Sequence, residues 1–302
     1  MKQTDTLGRS TFHHIAPQAH VRPTPREVRW LKHIERHGPQ SSTYLYELTR
    51  DTHSCRDTTL RQLQKLRAGG YLMLPRQQRA TEHANFNPYI YDLTKRAKDH
   101  LIDLGIAEPT VRPAGHWWHG YMTSCVTSSI DIAAARDGVR YIPAHEILAI
   151  KNAPLAIPIG NQKLIPDQLF ALDYGGSYRA FALEVDRGTE PKTSPTARKS
   201  YARSIELYRK MIERKLYKSH YGLKANLLVL WVFNNRTNEA HFLEILGNLP
   251  IAIRKRFLTQ NIADPVAALS GATANILGLY QKPWRGSHGQ IHIGNPSNPR
   301  HQ

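Results

Sequence analysis

The 302-residue chain carries 41 Lys and Arg against 24 Asp and Glu, a formal charge of +17 and a pI near 10.0. An excess of that size argues against an enzyme of small neutral substrates and implies a polyanionic partner. Two cysteines, Cys55 and Cys125, with no CxxC pair exclude a disulfide framework and a cysteine zinc site, and the apolar run Leu227–Phe233 is far short of the roughly 20 residues of a membrane helix, so a reducing, cytoplasmic setting is expected.

The length allows two domains. Residues 1–23 are polar, with His13, His14 and His20 and no periodicity, and read as a flexible basic arm. Order begins at Thr24-Pro25-Arg26-Glu27, which has an N-cap, a proline at the first helical position and a glutamate three residues after the cap. Val28, Leu31 and Ile34 follow at helical spacing, and Gly38 closes this first helix. Ser41 or Ser42 caps a short second helix through Tyr44, Leu45 and Leu48; Ser54 opens a third through Leu60, Leu63 and Leu66 to Gly69-Gly70.

Strand-like Tyr71-Leu72-Met73-Leu74, a polar basic loop with Arg76, Arg79 and His83, and Tyr89-Ile90-Tyr91 come next, before a helix over residues 94–104. Three short helices followed by two strands around a basic loop predict a winged helix-turn-helix over residues 24–110. In this reading the third helix presents Arg56, Thr58, Thr59, Arg61, Gln62 and Lys65 to the major groove of double-stranded DNA, while Arg76 and Arg79 of the wing meet phosphate. The alternative is that these are the solvated faces of a small helical domain.

Residues 108–115, with proline and glycine, mark the boundary to a second domain over residues 116–281. A helix is expected over 117–136 and a short one over 143–150. His116 and His119, beside Trp117 and Trp118, read as packing or stacking residues and not as metal ligands. Strands are predicted at 155–159, 165–173 and 178–185, then a long helix over 195–219 and a buried strand over 227–233. Tyr201, Ile205, Tyr208, Ile212 and Leu216 mark the buried stripe of the long helix, which carries eight basic residues against Glu206 and Glu213. Its outer face could lie along a phosphate backbone, though such faces are common on helices that bind nothing. A further strand is expected at 240–246, and residues 282–302, rich in Gly, Pro, Ser, Asn and His, as a disordered tail.

The chemistry concentrates in residues 164–190. Gly175-Gly176 supplies the turn of a hairpin whose second strand alternates Ala180, Ala182 and Glu184 with Phe181, Leu183 and Val185. Antiparallel pairing then sets Asp167 level with Glu184, and Asp186 follows on the face of Glu184. Three carboxylates this close repel one another unless one holds a proton or a divalent cation sits among them. The other reading has Asp167 capping a turn while Glu184 and Asp186 pair with Arg179 and Arg187.

The α, β, β, β, α, β order, with Pro166-Asp167 opening one strand and an acid-x-residue triplet ending the next, resembles the PD-(D/E)XK restriction-endonuclease-like core. The run FALEVDRGTE at residues 181–190, IPD at 165–167 and the following Lys199 and Tyr201 look like the replication-relaxation family and the related MobC-type relaxases of mobilisable plasmids and integrative elements. The resemblance covers roughly residues 24–233 and implies an α+β chain, a winged helix-turn-helix ahead of the nuclease-like domain. It implies Mg²⁺ or Mn²⁺ held by Asp167 and Glu184, and Asp186, which stands where the general motif has lysine, is expected as the third ligand. Lys199 or Lys192 would then serve in that lysine's place. The expected activity is nicking of one strand of origin DNA, with other relaxosome or replication proteins as partners. The alternative is a non-catalytic DNA-binding accessory protein on a degenerate nuclease fold.

Overall fold

The computed structural model describes residues 15–79, 88–112, 115–186, 200–262 and 278–295. They fall into two units that meet in sequence at Thr110 and Val111.

The first unit opens with α1 (Pro25–His37), and its capping box forms as the sequence indicates: Thr24 N–H donates to Glu27 Oε2 over 2.6 Å, and Glu27 N–H returns to Thr24 Oγ1. Then come β1 (Gln40–Ser41), α2 (Ser42–Leu48), α3 (Arg56–Ala68), β2 (Leu72–Met73), the short α4 (Arg76–Arg79), β3 (Ile90–Leu93) and α5 (Lys95–Asp103). β3 lies between β1 and β2, antiparallel to both. Trp30, Leu31, Leu45, Leu63, Leu66, Tyr91 and Leu101 fill the core under the helices. Three readings change here. The arm does not run to residue 23, because Val21 is buried in this core and Gln18 N–H donates to Ala68 O, while residues 1–14 lie outside the described chain. Part of the basic loop is helical, at α4, and His83 lies outside the described residues. Thr59 is buried and spends its hydroxyl on Cys55 O, so it cannot face a partner.

The second unit is built on a seven-stranded mixed sheet. In chain order its elements are α6 (Trp117–Arg136), β4 (Arg140–Pro143), α7 (Ala144–Ala149), β5 (Ile157–Ile159), β6 (Gln162–Leu164), β7 (Gln168–Asp173), β8 (Tyr178–Val185), α8 (Tyr201–Glu213), α9 (Leu216–Tyr221), β9 (Leu227–Phe233), α10 (Arg236–Gly247), α11 (Ile251–Arg254), β10 (Phe257–Asn261), α12 (Gly278–Gln281), β11 (Trp284–Gly286) and β12 (Gly289–Ile291). The strand order is β12-β11-β10-β9-β8-β7-β4, with β8, β9 and β10 parallel and the remaining pairs antiparallel. Helical crossovers between parallel neighbours place α8 and α10 over one face, where Ala180, Ala182, Val229, Trp231 and Phe233 meet Tyr201, Tyr208 and Phe242. The alternate residues stack Tyr141, Phe170 and Phe181 on the other face, with ring centroids 5.1 Å apart.

Four expectations in this unit are corrected. The strand at 155–159 starts at Ile157 and pairs with β6 in a separate two-stranded ribbon; the sheet's edge is β4, a four-residue strand ending in Pro143 that the sequence did not announce. Residues 240–246 lie in α10, capped by Asn235 and burying Phe242 and Leu246 four apart. The long helix breaks where Lys215 takes a left-handed φ of 51°, leaving α8 and α9. The segment from Lys282 to Asn295 is ordered: β11 and β12 extend the sheet, anchored by fully buried Trp284, so this unit does not end at residue 281.

Candidate functional site

The carboxylates gather at the end of the sheet where the parallel strands finish, the edge at which open α/β sheets hold ligands. β7 and β8 pair from Asp173↔Tyr178 to Gln168↔Leu183. One further step sets Asp167 opposite Glu184, although Asp167 itself lies before the strand and not inside it. Gly176, at φ 113°, permits the turn that folds the two strands together.

Each acid is fixed differently. Asp167 Oδ2 accepts the Val185 N–H at 2.8 Å, and His119 Nε2 lies 2.9 Å from Asp167 Oδ1. Glu184 Oε1 accepts the phenol of Tyr208 at 2.7 Å, and Glu184 is 2% exposed. Burial, then the charge of Glu184, its hydrogen bond and the charge of Asp167 push the Tyr208 hydroxyl well above the ordinary phenol range. That phenol therefore stays a neutral donor at every working pH. Asp186 is 1% exposed; its Oδ2 accepts Asn238 Nδ2 at 3.0 Å from the first turn of α10, while its Oδ1 is buried with no hydrogen-bond partner among the described residues.

An unpartnered carboxylate oxygen in the interior is costly. The donor set, three carboxylates of hard oxygen at one sheet end, is of the type a hard divalent cation takes, although the three do not bring their oxygens within 4.8 Å of one another. Arg179 does not neutralise the acids: it donates to His292 O at 3.0 Å and lies over the Tyr174 ring. Arg187, Lys192 and Lys199 lie outside the described residues.

Sequence reasoning missed the partners. His119 was read as a packing residue, yet it meets Asp167 from the first turn of α6. Tyr208 does sit in the buried stripe, but its hydroxyl is the hydrogen-bond donor to Glu184. Of the residues expected to face DNA, α3 carries Arg56, Arg61 and Lys65 exposed and Thr58 and Gln62 half-buried; Arg76 is exposed at the start of α4, and Arg79 ends that helix. Arg61 donates to Thr58 Oγ1 over 3.4 Å.

Residues 31–227 match the replication-relaxation family, two thirds of the chain spanning both units and including Asp167, Glu184, Asp186 and Tyr208. The chain belongs to that family. Membership connects this chain to replication and relaxation, in keeping with a plasmid role. No curated protein and no solved structure matches it. Among the described residues, no helix is long and apolar enough to cross a membrane.

Proposed function

We propose that this replication-relaxation family chain is a relaxase-type DNA endonuclease of the MobC kind, binding double-stranded origin DNA through its first unit and nicking one strand at the Asp167–Glu184 end of its second. The observation that carries this reading is the buried acid pair, with Glu184 held by the Tyr208 phenol. The first unit is read as a winged helix-turn-helix in which α3 enters the major groove and the β2–β3 hairpin is the wing. The second is read as a PD-(D/E)XK-like core: α6, β4, β7, β8, α8 and β9 give an α, β, β, β, α, β order with β4 as the first strand.

Asp167 and Glu184 would hold Mg²⁺ or Mn²⁺, with Asp186 as a third acid at the same sheet end. A cation bound there offsets charge on the scissile phosphate and lowers the pKa of the attacking water. The chain's own part is positional. Tyr208 holds one oxygen of Glu184 and so fixes its carboxylate. His119 and the Val185 N–H fix the carboxylate plane of Asp167, so both acids face the sheet end without reorganising. Supercoiled plasmid carrying the chain's own flanking DNA should become open-circular with Mg²⁺ or Mn²⁺ and stay supercoiled with chelator.

One observation favours a second reading. Asp186 stands where the general motif has lysine, and its side chain is tied to Asn238 in place of facing a phosphate. A non-catalytic accessory protein recruiting relaxosome or replication partners would bind the same DNA and leave the plasmid supercoiled under every metal.

A further inference from the structure

We infer that the end of the sheet opposite the carboxylates is a second DNA contact, a cationic pole that holds the phosphate backbone of flanking duplex without reading its sequence. The inference rests on DNA being the partner and stands whether or not the acids cut it.

The segments that lead into the parallel strands carry this pole. Residues 147–166, 214–238 and 245–263 contain no Asp or Glu. Lys224 stands just ahead of β9, where its N–H and that of Ala225 donate to the Tyr178 hydroxyl at the start of β8, over 2.9 and 3.1 Å. Lys255 stands just ahead of β10, beside Arg256, whose carbonyl accepts the Val229 N–H of β9 at 2.7 Å. Lys218 lies on α9, which ends at Gly222 with a left-handed φ of 75°. A Cβ at Gly222 would lie 3.1 Å from Lys151 Cγ, so glycine lets that lysine stem cross the end of α9.

These four lysines are exposed, and none forms an ion pair with a described residue. Arg254, next to Lys255, keeps its Nε buried without a hydrogen-bond partner among the described residues. The cations of α8 are spent differently. Arg209 forks between Glu206 and Glu213 at 2.7 and 2.6 Å, and Lys210 lies 3.5 Å from Glu206. The outer face of α8 is thus largely self-neutralised, and the unspent charge sits beyond its end.

The acids lie at the other end, with Glu184 roughly 20 Å along β8 from Tyr178 at about 3.3 Å per residue. Three buried carboxylates repel a phosphate, so the attraction that brings DNA to this unit has to come from elsewhere on it. Lysines with no acid among them suit a backbone of regularly spaced phosphates. Duplex lying along the strands reaches the pole roughly six base pairs from the acids.

The test is a salt titration of the full chain in chelator with a duplex of arbitrary sequence. Lys224→Ala/Lys255→Ala should weaken binding several-fold and flatten the log–log salt slope by about 2, with an unchanged melting temperature. Lys98→Ala/Arg285→Ala removes the same charge from exposed positions on α5 and β11 and should leave the slope as it is. Equal flattening by both variants would reduce the effect to net charge, and an unchanged slope in Lys224→Ala/Lys255→Ala would remove the pole from the interface; either result overturns the inference. So does binding to phosphatidylserine-containing vesicles that Lys224→Ala/Lys255→Ala abolishes while its DNA slope stays put, which would reassign the pole to a membrane surface. A wild type that binds no duplex counts against the DNA reading as a whole, whereas flattening confined to Arg61→Ala/Lys65→Ala counts only against the pole.

Discussion

Tyr208 donates its phenol to Glu184 Oε1 over 2.7 Å from a position with no solvent exposure, tying α8 to the end of β8. Removing the hydroxyl leaves a buried carboxylate oxygen without its donor. Tyr208→Phe should therefore destabilise the chain by about 1–3 kcal/mol, read as a lowered urea midpoint with unchanged slope. A neutral result would mean that water or another donor already serves Glu184.

Alkaline pH should unfold the chain. Burial raises Tyr208 well above its usual 10.0, and burial likewise lifts Tyr174 to about 12 and Tyr91 and Tyr221 higher still. A phenol whose pKa rises on folding contributes stability that is whole below about pH 10, where the unfolded phenol begins to ionise, and is lost as the pH climbs through the folded value. The urea midpoint should hold to about pH 9 and fall steeply above 10. Tyrosinate absorbance that develops while the circular dichroism stays native would count against this.

DNA affinity should fall steeply with salt, because Lys and Arg contacts release counterions from phosphate. Arg61→Ala/Lys65→Ala on the exposed side of α3 should weaken binding and flatten the log–log salt slope by about 2, at roughly 0.9 per phosphate contact. Thr59→Val should leave DNA affinity unchanged, since Thr59 faces the core. A slope unchanged by the double variant would remove α3 from the interface.

The hairpin was legible because its signals are local: the glycine pair at the turn and the alternation of Ala180, Ala182 and Glu184 fix both strands and the face of the acids. The partners of those acids were not. Tyr208 stands 24 residues from Glu184 and His119 stands 48 from Asp167, so only tertiary packing reveals them, and a tyrosine in an apolar stripe looks like core. Short sheet edges were hidden for a related reason. β4, β11 and β12 hold three or four residues each and are stabilised by ladder hydrogen bonds that carry no side-chain pattern. Residues 240–246 looked like a strand because their apolar side chains fall close together, whereas Phe242 and Leu246, four apart, are the ones the helix buries.

A divalent cation that binds only the folded chain raises its melting temperature by mass action, with about 2.7 kcal/mol gained at a hundred times Kd. Mn²⁺ should stabilise the wild type and stabilise Asp186→Asn less, because Asp186 Oδ1 is the oxygen left unspent. Asp167→Ala is a poorer probe: it also strips the Val185 N–H of its acceptor and should lower stability before any metal is added. Equal Mn²⁺ shifts in wild type and Asp186→Asn would exclude Asp186 from the site.

The most direct measurement is the rate at which wild type and Glu184→Gln convert supercoiled plasmid bearing the cognate origin to open circles in Mg²⁺ or Mn²⁺, with DNA affinity measured alongside. Glu184→Gln keeps size and hydrogen-bonding capacity while removing one charge from the acid pair. A fall in nicking by orders of magnitude with DNA binding intact is the expected result. Wild type and variant that nick equally, or a wild type that never opens the plasmid with both metals and any partner proteins present, would contradict the assignment of the chemistry to Asp167 and Glu184.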